Sequence, residues 1–375
     1  MPQSNTPKQP KLRVAIFGSY YRGDAVLESL LSDKDLMKRI EIVVVATDST
    51  KHNTLEPGKR FWRYRATDAE KNMVFARALK AKGVEVLTGN EDGNVLTSDF
   101  REEVRQSKPD IIYVASFGPR LSKDIIELPR LGCFNLHPTD GLPNDKGEPW
   151  PSCVGPDPFE QMFGKEPPSQ YARIALHEVN TEYDDGPLTF LTPEKSAVKI
   201  PYEKFRQDVL PQKKEKFFLQ AKILLTKHRG AHTAEEVKDK FLTPAVFISE
   251  SVLSRLAEGR PLSDKEIEEC AHEEMEARIM GEAVKIMHRK TAHLAGMAVN
   301  VHLRRQLGMG LTQEQIEAGY SNERGQGAPT SQIEAKPAEL PIVEISRPPV
   351  RGINPNPANE RGKPDERGQG GGLAR

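Results

Sequence analysis

The sequence predicts an α/β protein with a Rossmann-like, open and mostly parallel sheet, followed by an α-helical region and a disordered tail. Three observations lead to this fold class. Short apolar runs rich in Ile and Val alternate with helical patterns up to about Gly230, as in parallel sheets covered by helices on both faces. Beyond Gly230 the pattern is helical throughout. From Ser321 the chain is rich in Pro, Gly and charge with almost no aromatic residues, a composition too polar to build a core.

The first strand is predicted over residues 12–18, because LRVAIFG is apolar and ends at a glycine. Similar runs predict strands over 40–46, 84–87, 110–115, 132–137 and 171–179. Apolar residues at helical spacing predict helices over 24–31, 68–82, 98–107 and 202–228, with Pro211 interrupting the last. Beyond Gly230 we expect helices over 233–242, 244–258 and 264–307. The Pro- and Gly-rich stretch 144–168 predicts a loop.

Composition argues against several classes of protein. Lys+Arg and Asp+Glu number 54 each, so no net field draws the chain to nucleic acid or membrane. The 3 cysteines are odd in number and lack metal-ligand spacing, which favours a reducing compartment over a disulfide framework. Neither a signal peptide nor a membrane-spanning run is recognisable. We expect a cytoplasmic protein without membrane contact, divided into a disordered lead (1–10), a catalytic domain (11–229), an α-helical region (230–320) and a disordered tail (321–375).

A polar pair marks the end of the strand predicted over 132–137. Side chains alternate along a strand, so Asn135 and His137 point to the same face. Pro138 cannot donate to a strand ladder, so we expect the strand to stop there, with the pair at its carboxyl edge. Ligands bind at that edge in open α/β sheets. An isolated Asn-x-His at a strand end would more often be a simple cap.

Two further motifs follow the pair in order. Asn135, His137 and Pro138 precede Leu142-Pro143, and the loop after the next strand contains Asp184-Asp185-Gly186-Pro187. Together these motifs resemble the formyltransferases that use 10-formyltetrahydrofolate, especially methionyl-tRNA and sugar-amine formyltransferases. The resemblance covers residues 11–228. It implies the formyltransferase fold, a folate co-substrate, no metal, and Asp184 placed over His137.

The chemistry of formyl transfer fits these residue types. An amine attacks the formyl carbon, and negative charge develops on the formyl oxygen. An Asn amide can donate to that oxygen, and a histidine can donate to it or take the proton that the amine releases. A carboxylate orients the imidazole. The sequence therefore assigns catalysis to Asn135, His137 and Asp184.

The resemblance also implies where the folate binds. The loop after the strand 110–115 would lie against the pterin, mainly through backbone groups. The residues assigned to this cofactor site are Phe117, Gly118, Leu121, Asp185 and Gly186. The stretch 144–168 departs from the family pattern beside the catalytic strand, which leaves the substrate open more than the fold.

Two segments are candidates for binding the acceptor. The turn after the first strand contains Gly18, Ser19 and Arg22, and its backbone donors could hold an anion, although a plain strand-to-helix turn explains it as well. The basic and aromatic run 59–65 includes Arg60, Trp62 and Arg63. Such a run can bind the phosphates and bases of a tRNA or a nucleotide-sugar. It could equally be a solvated loop.

Three functions remain open from the sequence. The first is an N-formyltransferase acting on methionyl-tRNA, a nucleotide-linked aminosugar or a small amine such as a glycinamide ribonucleotide. The others are a 10-formyltetrahydrofolate hydrolase and a non-catalytic scaffold. The C-terminal helices could cap the cleft or form a homodimer. His288, His293 and His302 lack ligand spacing, so we expect packed or solvated side chains there and no metal.

Overall fold

The computed structural model describes residues 10–47, 68–81, 83–88, 97–144, 147–148, 150–155, 158–165, 168–181, 184–200, 210–230, 232–233, 236 and 250–321. By compactness the chain divides into residues 1–328 and residues 329–375, and the second part lies outside the described residues. The predicted tail lies outside them too, apart from Ser321, and so does the predicted lead, apart from Pro10.

Strands and helices alternate along the described chain. The strands are β1 (Leu12–Gly18), β2 (Ile40–Thr47), β3 (Glu85–Thr88), β4 (Ile111–Ala115), β5 (Cys133–Thr139), β6 (Tyr171–Glu178), β7 (Leu188–Leu191) and β8 (Val198–Lys199). The helices are α1 (Tyr20–Ser32), α2 (Asp68–Lys71), α3 (Met73–Lys80), α4 (Ser98–Gln106), α5 (Lys123–Ile126), α6 (Pro158–Gly164), α7 (Leu210–Lys227), α8 (Glu250–Leu256), α9 (Asp264–Gln306) and α10 (Gln313–Glu317). Short 3₁₀ turns occur at Leu36–Lys38 and Glu194–Ser196.

The strands form one open sheet in the order β3-β2-β1-β4-β5-β6-β7, and β8 pairs with β6. Pairing is parallel from β3 through β5 and antiparallel among β5, β6, β7 and β8. The chain leaves β1 toward β2 and later returns to its other side as β4. Such a reversal of strand order opens a crevice at the carboxyl ends of the strands, where ligands bind in this class of fold. The predicted fold class is confirmed.

Strand β1 explains why the sequence shows continuous apolar runs. Leu12, Val14 and Ile16 face one core, while Ala15 and Phe17 face the other. A strand covered on both faces must be apolar at successive positions. The first core is closed by α1, α3 and α9, and the second by α4, α5 and the loop after β4.

Helix α9 is 43 residues long and lies against the sheet with its C-terminal half. It begins at a capping box in which Ser263 and Glu266 each accept the other's backbone N–H. Leu294, Val299 and Leu303 belong to the same core as β1, β4 and β5. The N-terminal half packs with α6, α7 and α8. The helix therefore helps to hold the sheet, and a domain boundary at 229/230 stays a prediction.

The predicted strands agree with the observed ones to within two residues. Strands β7 and β8 and helix α10 were not predicted, because they are too short to show a period in the sequence. The first helix begins at Tyr20 rather than at residue 24, and the helix predicted over 68–82 is broken between α2 and α3.

The predicted end of β5 is wrong, because the strand passes through Pro138 and ends at Thr139. Strand β6 pairs along this stretch, with Pro138 opposite Ile174. The Leu136 carbonyl points to the β4 side, where it accepts a hydrogen bond from Arg22. The backbone nitrogen of Pro138, two residues later, faces the same side. Its missing N–H therefore interrupts no pairing with β6.

The loop predicted over 144–168 contains a helix, α6. Its buried residues Phe159, Met162 and Phe163 have helical spacing and pack against α9. The high Pro and Gly content of the surrounding residues hid this short pattern.

The helix predicted over 202–228 is observed as α7, and residues 201–209 lie outside the described part. Pro211 stands in the first turn of α7 instead of interrupting it, since a proline there removes no helical hydrogen bond. The predicted helix 264–307 is confirmed as α9, and the helix predicted over 244–258 is described only as α8. The helix predicted over 233–242 lies largely outside the described residues.

Candidate functional site

Three elements bring the predicted catalytic residues together at the carboxyl end of β5. Strand β5 carries Asn135 and His137, and β6 places His177 directly opposite Asn135 in its antiparallel register. The turn after β6 returns Asp184 to the same point, within hydrogen-bond distance of Asn135. The proximity that the sequence motifs implied is therefore observed, and the catalytic roles stay a prediction.

The Asp184 carboxylate lies at the centre of this group. Its Oδ1 accepts a hydrogen bond from Asn135 Nδ2 at 3.0 Å and lies 3.4 Å from His137 Nδ1 and 3.6 Å from His177 Nε2. Its Oδ2 accepts the backbone N–H of Gly155 at 2.8 Å. Asp184 adopts a φ of 49°, a left-handed conformation that costs free energy for a residue other than glycine. These contacts hold it there.

The second histidine, His177, was not predicted as a site residue and lies within the strand predicted over 171–179. Its Nδ1 lies 2.8 Å from the Glu178 carbonyl oxygen, so Nδ1 carries the proton and donates it there. Its Nε2 can then accept from Asn135 Nδ2 at 3.1 Å. Both amide hydrogens of Asn135 thus have partners, one on Asp184 and one on His177. Only the strand register reveals this relation.

Burial sets the charge of the two central groups. Burial by itself favours a protonated Asp184, but the polar groups around the carboxylate, among them the Gly155 N–H that donates to Oδ2, outweigh it and lower the pKa of Asp184 to about 2. Burial lowers the pKa of His137 to about 4, against the opposing effect of the Asp184 charge, and Arg22 and His177 lower it further. The resting pair is a carboxylate beside a neutral imidazole.

One buried polar atom of the site has no hydrogen-bond partner among the described residues. His137 Nε2 is fully buried and has no hydrogen-bond partner in the described part of the chain. Buried polar atoms are nearly always hydrogen-bonded, so such an atom calls for an explanation. A proton on Nδ1, facing the carboxylate, leaves Nε2 as a bare acceptor.

Comparison with known proteins finds methionyl-tRNA formyltransferases among the sequence relatives of this chain. No protein-family model matches the chain. The methionyl-tRNA formyltransferase of Thermotoga maritima is 30% identical over 106 residues, which is 28% of this chain and 29% of the relative. The enzyme of the same name from Microcystis aeruginosa is 32% identical over 126 residues, 34% of each chain. The chain therefore spans about a third of the length of these relatives.

The chain is similar to methionyl-tRNA formyltransferases over about a third of its length.

Solved structures show weaker similarity. Glycinamide ribonucleotide transformylase 1 from Symbiobacterium toebii aligns over 51% of this chain and 74% of its own, with 17% identity and a TM-score of 0.36. A formyltetrahydrofolate deformylase from Pseudomonas syringae pv. tomato aligns over 52% and 53%, with 18% identity and a TM-score of 0.34. Scores this low carry no argument about function.

Trp150 covers the group formed by Asn135, His137, His177 and Asp184. Its ring centroid lies 5.6 Å from that of His137, edge to face, and 4.6 Å from that of His177. The indole N–H donates to the Gly186 carbonyl at 3.2 Å. The side chain is buried, and it keeps water from both imidazoles. No sequence pattern indicated this contact, since Trp150 lies in the stretch that departs from the pattern of the formyltransferases it resembles.

Asp140 anchors the segment that carries Trp150. Its carboxylate accepts hydrogen bonds from the backbone of Leu142, from the hydroxyls of Ser152 and Ser169, and from Lys165 Nζ at 2.5 Å. Burial of Asp140 is outweighed by Lys165 and the two hydroxyls, which lower the pKa of the carboxyl. The clamp joins the end of β5 to the residues after α6, and so fixes the wall of the site.

In the turn after β1, which was predicted to bind an anion, the described polar groups bond to other groups of the protein. The Ser19 N–H donates to the Ala115 carbonyl, and its hydroxyl lies 3.0 Å from that of Thr47. A Cβ on Gly18 would lie 2.8 Å from the Gly23 Cα, so Gly18 is explained by close packing of the turn on α1. Arg22 is buried and bonded to protein groups. Substrate binding by Gly18, Ser19 and Arg22 stays a prediction that these contacts do not favour.

The five residues predicted to bind folate comprise two with buried side chains, two that are exposed and one glycine in close packing. The Phe117 and Leu121 side chains are buried in the second core, so only their backbone faces outward, and Gly118 is exposed. Asp185 is exposed on the turn after β6. A Cβ on Gly186 would lie 1.7 Å from the Glu178 carbonyl oxygen, so this glycine is required by packing. Their cofactor role stays a prediction.

The remaining predicted residues, Arg60, Trp62 and Arg63, lie outside the described part of the chain. Within the described part, no group of His, Cys, Asp or Glu is arranged to hold a metal ion. Among the described helices, none combines the length and apolarity needed to cross a bilayer.

Proposed function

We propose that the chain is an N-formyltransferase that moves the formyl group of 10-formyltetrahydrofolate to an amine. His137 Nε2 carries this proposal, because it is the one buried polar atom of the site left for a reacting group in the described part. The relatives named methionyl-tRNA formyltransferase support the reaction class. The acceptor stays open among methionyl-tRNA, a nucleotide-linked aminosugar and a small amine.

The neutral state of His137 assigns it the role of base. The acceptor amine attacks the formyl carbon, and a new C–N bond forms as the carbonyl oxygen becomes negative. His137 Nε2 takes a proton from the attacking nitrogen, and Asp184 stabilises the resulting imidazolium. The bond from the formyl carbon to N10 then breaks, and the same proton passes to N10. The products are a formamide and tetrahydrofolate, so atoms and electrons balance.

Asn135 stabilises the intermediate. One of its N–H groups turns from His177 Nε2 to the formyl oxygen as charge develops there. The other stays on Asp184 Oδ1 and keeps the amide in place. His177 is a positioning residue in this scheme, because it holds the amide of Asn135 through the strand register.

The test is turnover of 10-formyltetrahydrofolate by the full chain, followed by absorbance. It is run alone, with charged initiator tRNA, and with nucleotide aminosugars and small amines. Turnover that depends on one acceptor supports the proposal and names that acceptor. Turnover without an acceptor identifies a hydrolase instead. No turnover, together with no folate binding by calorimetry, contradicts both and favours a scaffold.

Replacement of each central side chain provides the second test. We expect Asn135→Ala, His137→Ala and Asp184→Ala each to lower kcat by roughly 100-fold or more, since each removes a group that acts on the transition state. Asn300→Ala is the matched control, because Asn300 is a buried amide of α9 that bonds Asp33 instead of a residue of the site. It should lower the melting temperature and leave kcat unchanged. Wild-type rates in all three site variants would show the assignment to be wrong.

A further inference from the structure

Arg22 lies beneath the end of β5 and contacts the peptide that joins the two site residues of this strand. Its Nη1 donates to the Leu136 carbonyl at 3.1 Å, between Asn135 and His137. Its Nε donates to the Ser116 hydroxyl at 2.6 Å. The side chain is 5% exposed, so these bonds lie in an environment where a lost partner is costly.

The guanidinium replaces strand pairing at the point where that pairing stops. Parallel pairing of β4 with β5 ends at Val114 opposite Asn135. Ser116, which follows β4, has a φ of 62°, a left-handed conformation that ends the extended backbone of this strand. The Leu136 carbonyl would be left without a β4 donor there, and Arg22 supplies one. The planar guanidinium of arginine holds a carbonyl and a hydroxyl with donors in a fixed geometry, whereas a lysine ammonium is a single charge on a flexible stem.

We propose that Arg22 is a positioning residue of the site, which fixes the end of β5 and thereby the placement of His137 against Asp184. This differs from binding of a substrate anion, because both its described donors are directed at protein groups. The kinetic part of this inference rests on the proposed function.

The positive charge of Arg22 also affects His137, because it disfavours protonation of the imidazole. The charged or titratable groups that face His137 are Asp184, Arg22 and His177. Asp184 favours the imidazolium, whereas Arg22 and His177 disfavour it. Trp150 and the surrounding residues bury the ring. Removing the Arg22 charge should therefore make His137 easier to protonate.

Two substitutions distinguish the effect of the Arg22 charge from the effect of its planar guanidinium geometry. Arg22→Gln removes the charge, and we expect the His137 pKa to rise by about one unit. Arg22→Lys keeps the charge and loses the planar geometry, and we expect an unchanged His137 pKa with kcat about tenfold lower and the folate KM unchanged. Histidine ring signals in an NMR titration of the full chain give the pKa without any turnover, and His137→Asn identifies the signal.

Arg304→Gln is the matched control. Arg304 is also buried and donates to a backbone carbonyl, that of Gly310 at 2.8 Å, but its described hydrogen bonds go to Asp33, Asn300 and Gly310 and to no residue of the site. It should lower the melting temperature while leaving the His137 pKa and kcat unchanged. Equal effects of Arg304→Gln and Arg22→Gln on the pKa would overturn the proposal.

Unchanged His137 titration in Arg22→Gln together with wild-type kcat in Arg22→Lys would also overturn it. If Arg22→Gln does not fold, Arg22→Lys decides, since it retains charge and a donor. Wild-type kcat in that variant then contradicts the inference. If the wild-type chain transfers no formyl group, the proposed function fails, while the titration still tests the role of Arg22.

Discussion

At the scale of single residues, Asp184 organises the site because three nitrogen-bearing side chains converge on one of its oxygens. Asn135 bonds Oδ1, and His137 and His177 approach it from two strands. Burial excludes water, so each of these interactions is stronger than it would be at the surface. The same burial keeps His137 neutral. Charge and geometry therefore follow from one cause.

The pH dependence of turnover follows from this neutral imidazole. Burial lowers the pKa of His137 to about 4, so the proposed base stays unprotonated as the pH falls through the ordinary histidine range. We expect kcat/KM to stay on its plateau from pH 8 to about pH 5. An acid limb centred near pH 6.5 would contradict this.

The side chain of Trp150 should determine the pH at which kcat/KM begins to fall on the acid side. Trp150→Leu removes the ring that lies 5.6 Å from His137, and water can then reach the imidazole. Because hydration favours the charged form, the His137 pKa should rise and the acid limb should move toward neutral pH. Phe190→Leu is the control, since Phe190 packs near His302. An equal shift in both variants would argue against a specific role for Trp150.

At the scale of elements, α9 connects the site-bearing sheet to α1 through close packing and a buried hydrogen bond. Its residue Gly296 lies directly against α1. Its residue His302 lies under β4 and β5, with Nδ1 2.7 Å from the Tyr113 hydroxyl and Nε2 accepting from Gln306 at 3.2 Å. Neither contact is local in the sequence, and each can be tested by one substitution.

Gly296→Ala tests the contact between the two helices. A Cβ there would lie 2.5 Å from the Ala25 carbonyl oxygen and 3.0 Å from the Ser29 Cβ. Overpacking costs about 1–3 kcal/mol, which exceeds the gain of up to about 1 kcal/mol in helix propensity. We expect a lower melting temperature. Gly310→Ala, with nothing within 4 Å of its Cβ, should be neutral, and a stabilised Gly296→Ala would refute the packing argument.

His302 should make stability depend on pH. Burial, and to a lesser degree Arg305, lowers its pKa to about 3, below the value of about 6.5 for an unfolded chain. The unfolded state therefore binds more protons between these values. The stabilisation is complete above about pH 6.5 and is lost as the pH falls toward about 3.

The measurement is the free energy of unfolding in urea at pH 7 and pH 5. His302→Gln cannot titrate, so we expect its loss of stability on acidification to be smaller than that of the wild type by about 1 kcal/mol per pH unit. His293→Gln, at an exposed position of the same helix, should behave as the wild type does. Equal pH dependence in all three proteins would show that His302 is not the cause.

At the scale of the whole molecule, residues far beyond the predicted catalytic domain complete the core of the sheet. Leu294, Val299 and Leu303 of α9 are fully buried with residues of β1, β4 and β5. Each such side chain contributes about 1.5–3 kcal/mol on burial, and a typical domain is stable by only about 5–15 kcal/mol. Losing α9 would therefore remove a large part of that margin.

Truncation tests this view. A chain of residues 1–321 keeps every described element, and we expect a cooperative melt close to that of the full chain. A chain of residues 1–229 lacks α8 to α10, and we expect no cooperative melt and exposed apolar surface that binds a hydrophobic dye. A cooperative melt of the shorter chain would instead establish 11–229 as an autonomous domain, as the sequence predicted.

Asp184 was assigned to the candidate site only through the resemblance to formyltransferases. The sequence by itself determined the order of the strands along the chain, the mostly parallel class of the sheet and the common face of Asn135 and His137. These features are local: apolar runs mark buried strands, and alternation puts Asn135 and His137 on one face. Short elements such as β7 and α6 were not predicted, because they contain too few residues to show a strand or helix periodicity. The strand end at Pro138 was misjudged because pairing with β6 is not visible locally.

Only the tertiary structure decided which distant residues meet at that site. His177 reaches Asn135 through an antiparallel register, Trp150 covers both imidazoles, and Arg22 bonds the end of β5 across 114 positions. The neutral charge of His137 likewise follows from burial, which is a property of the packed molecule. Contacts between distant segments depend on how elements pack, and the periods of single segments do not encode that packing.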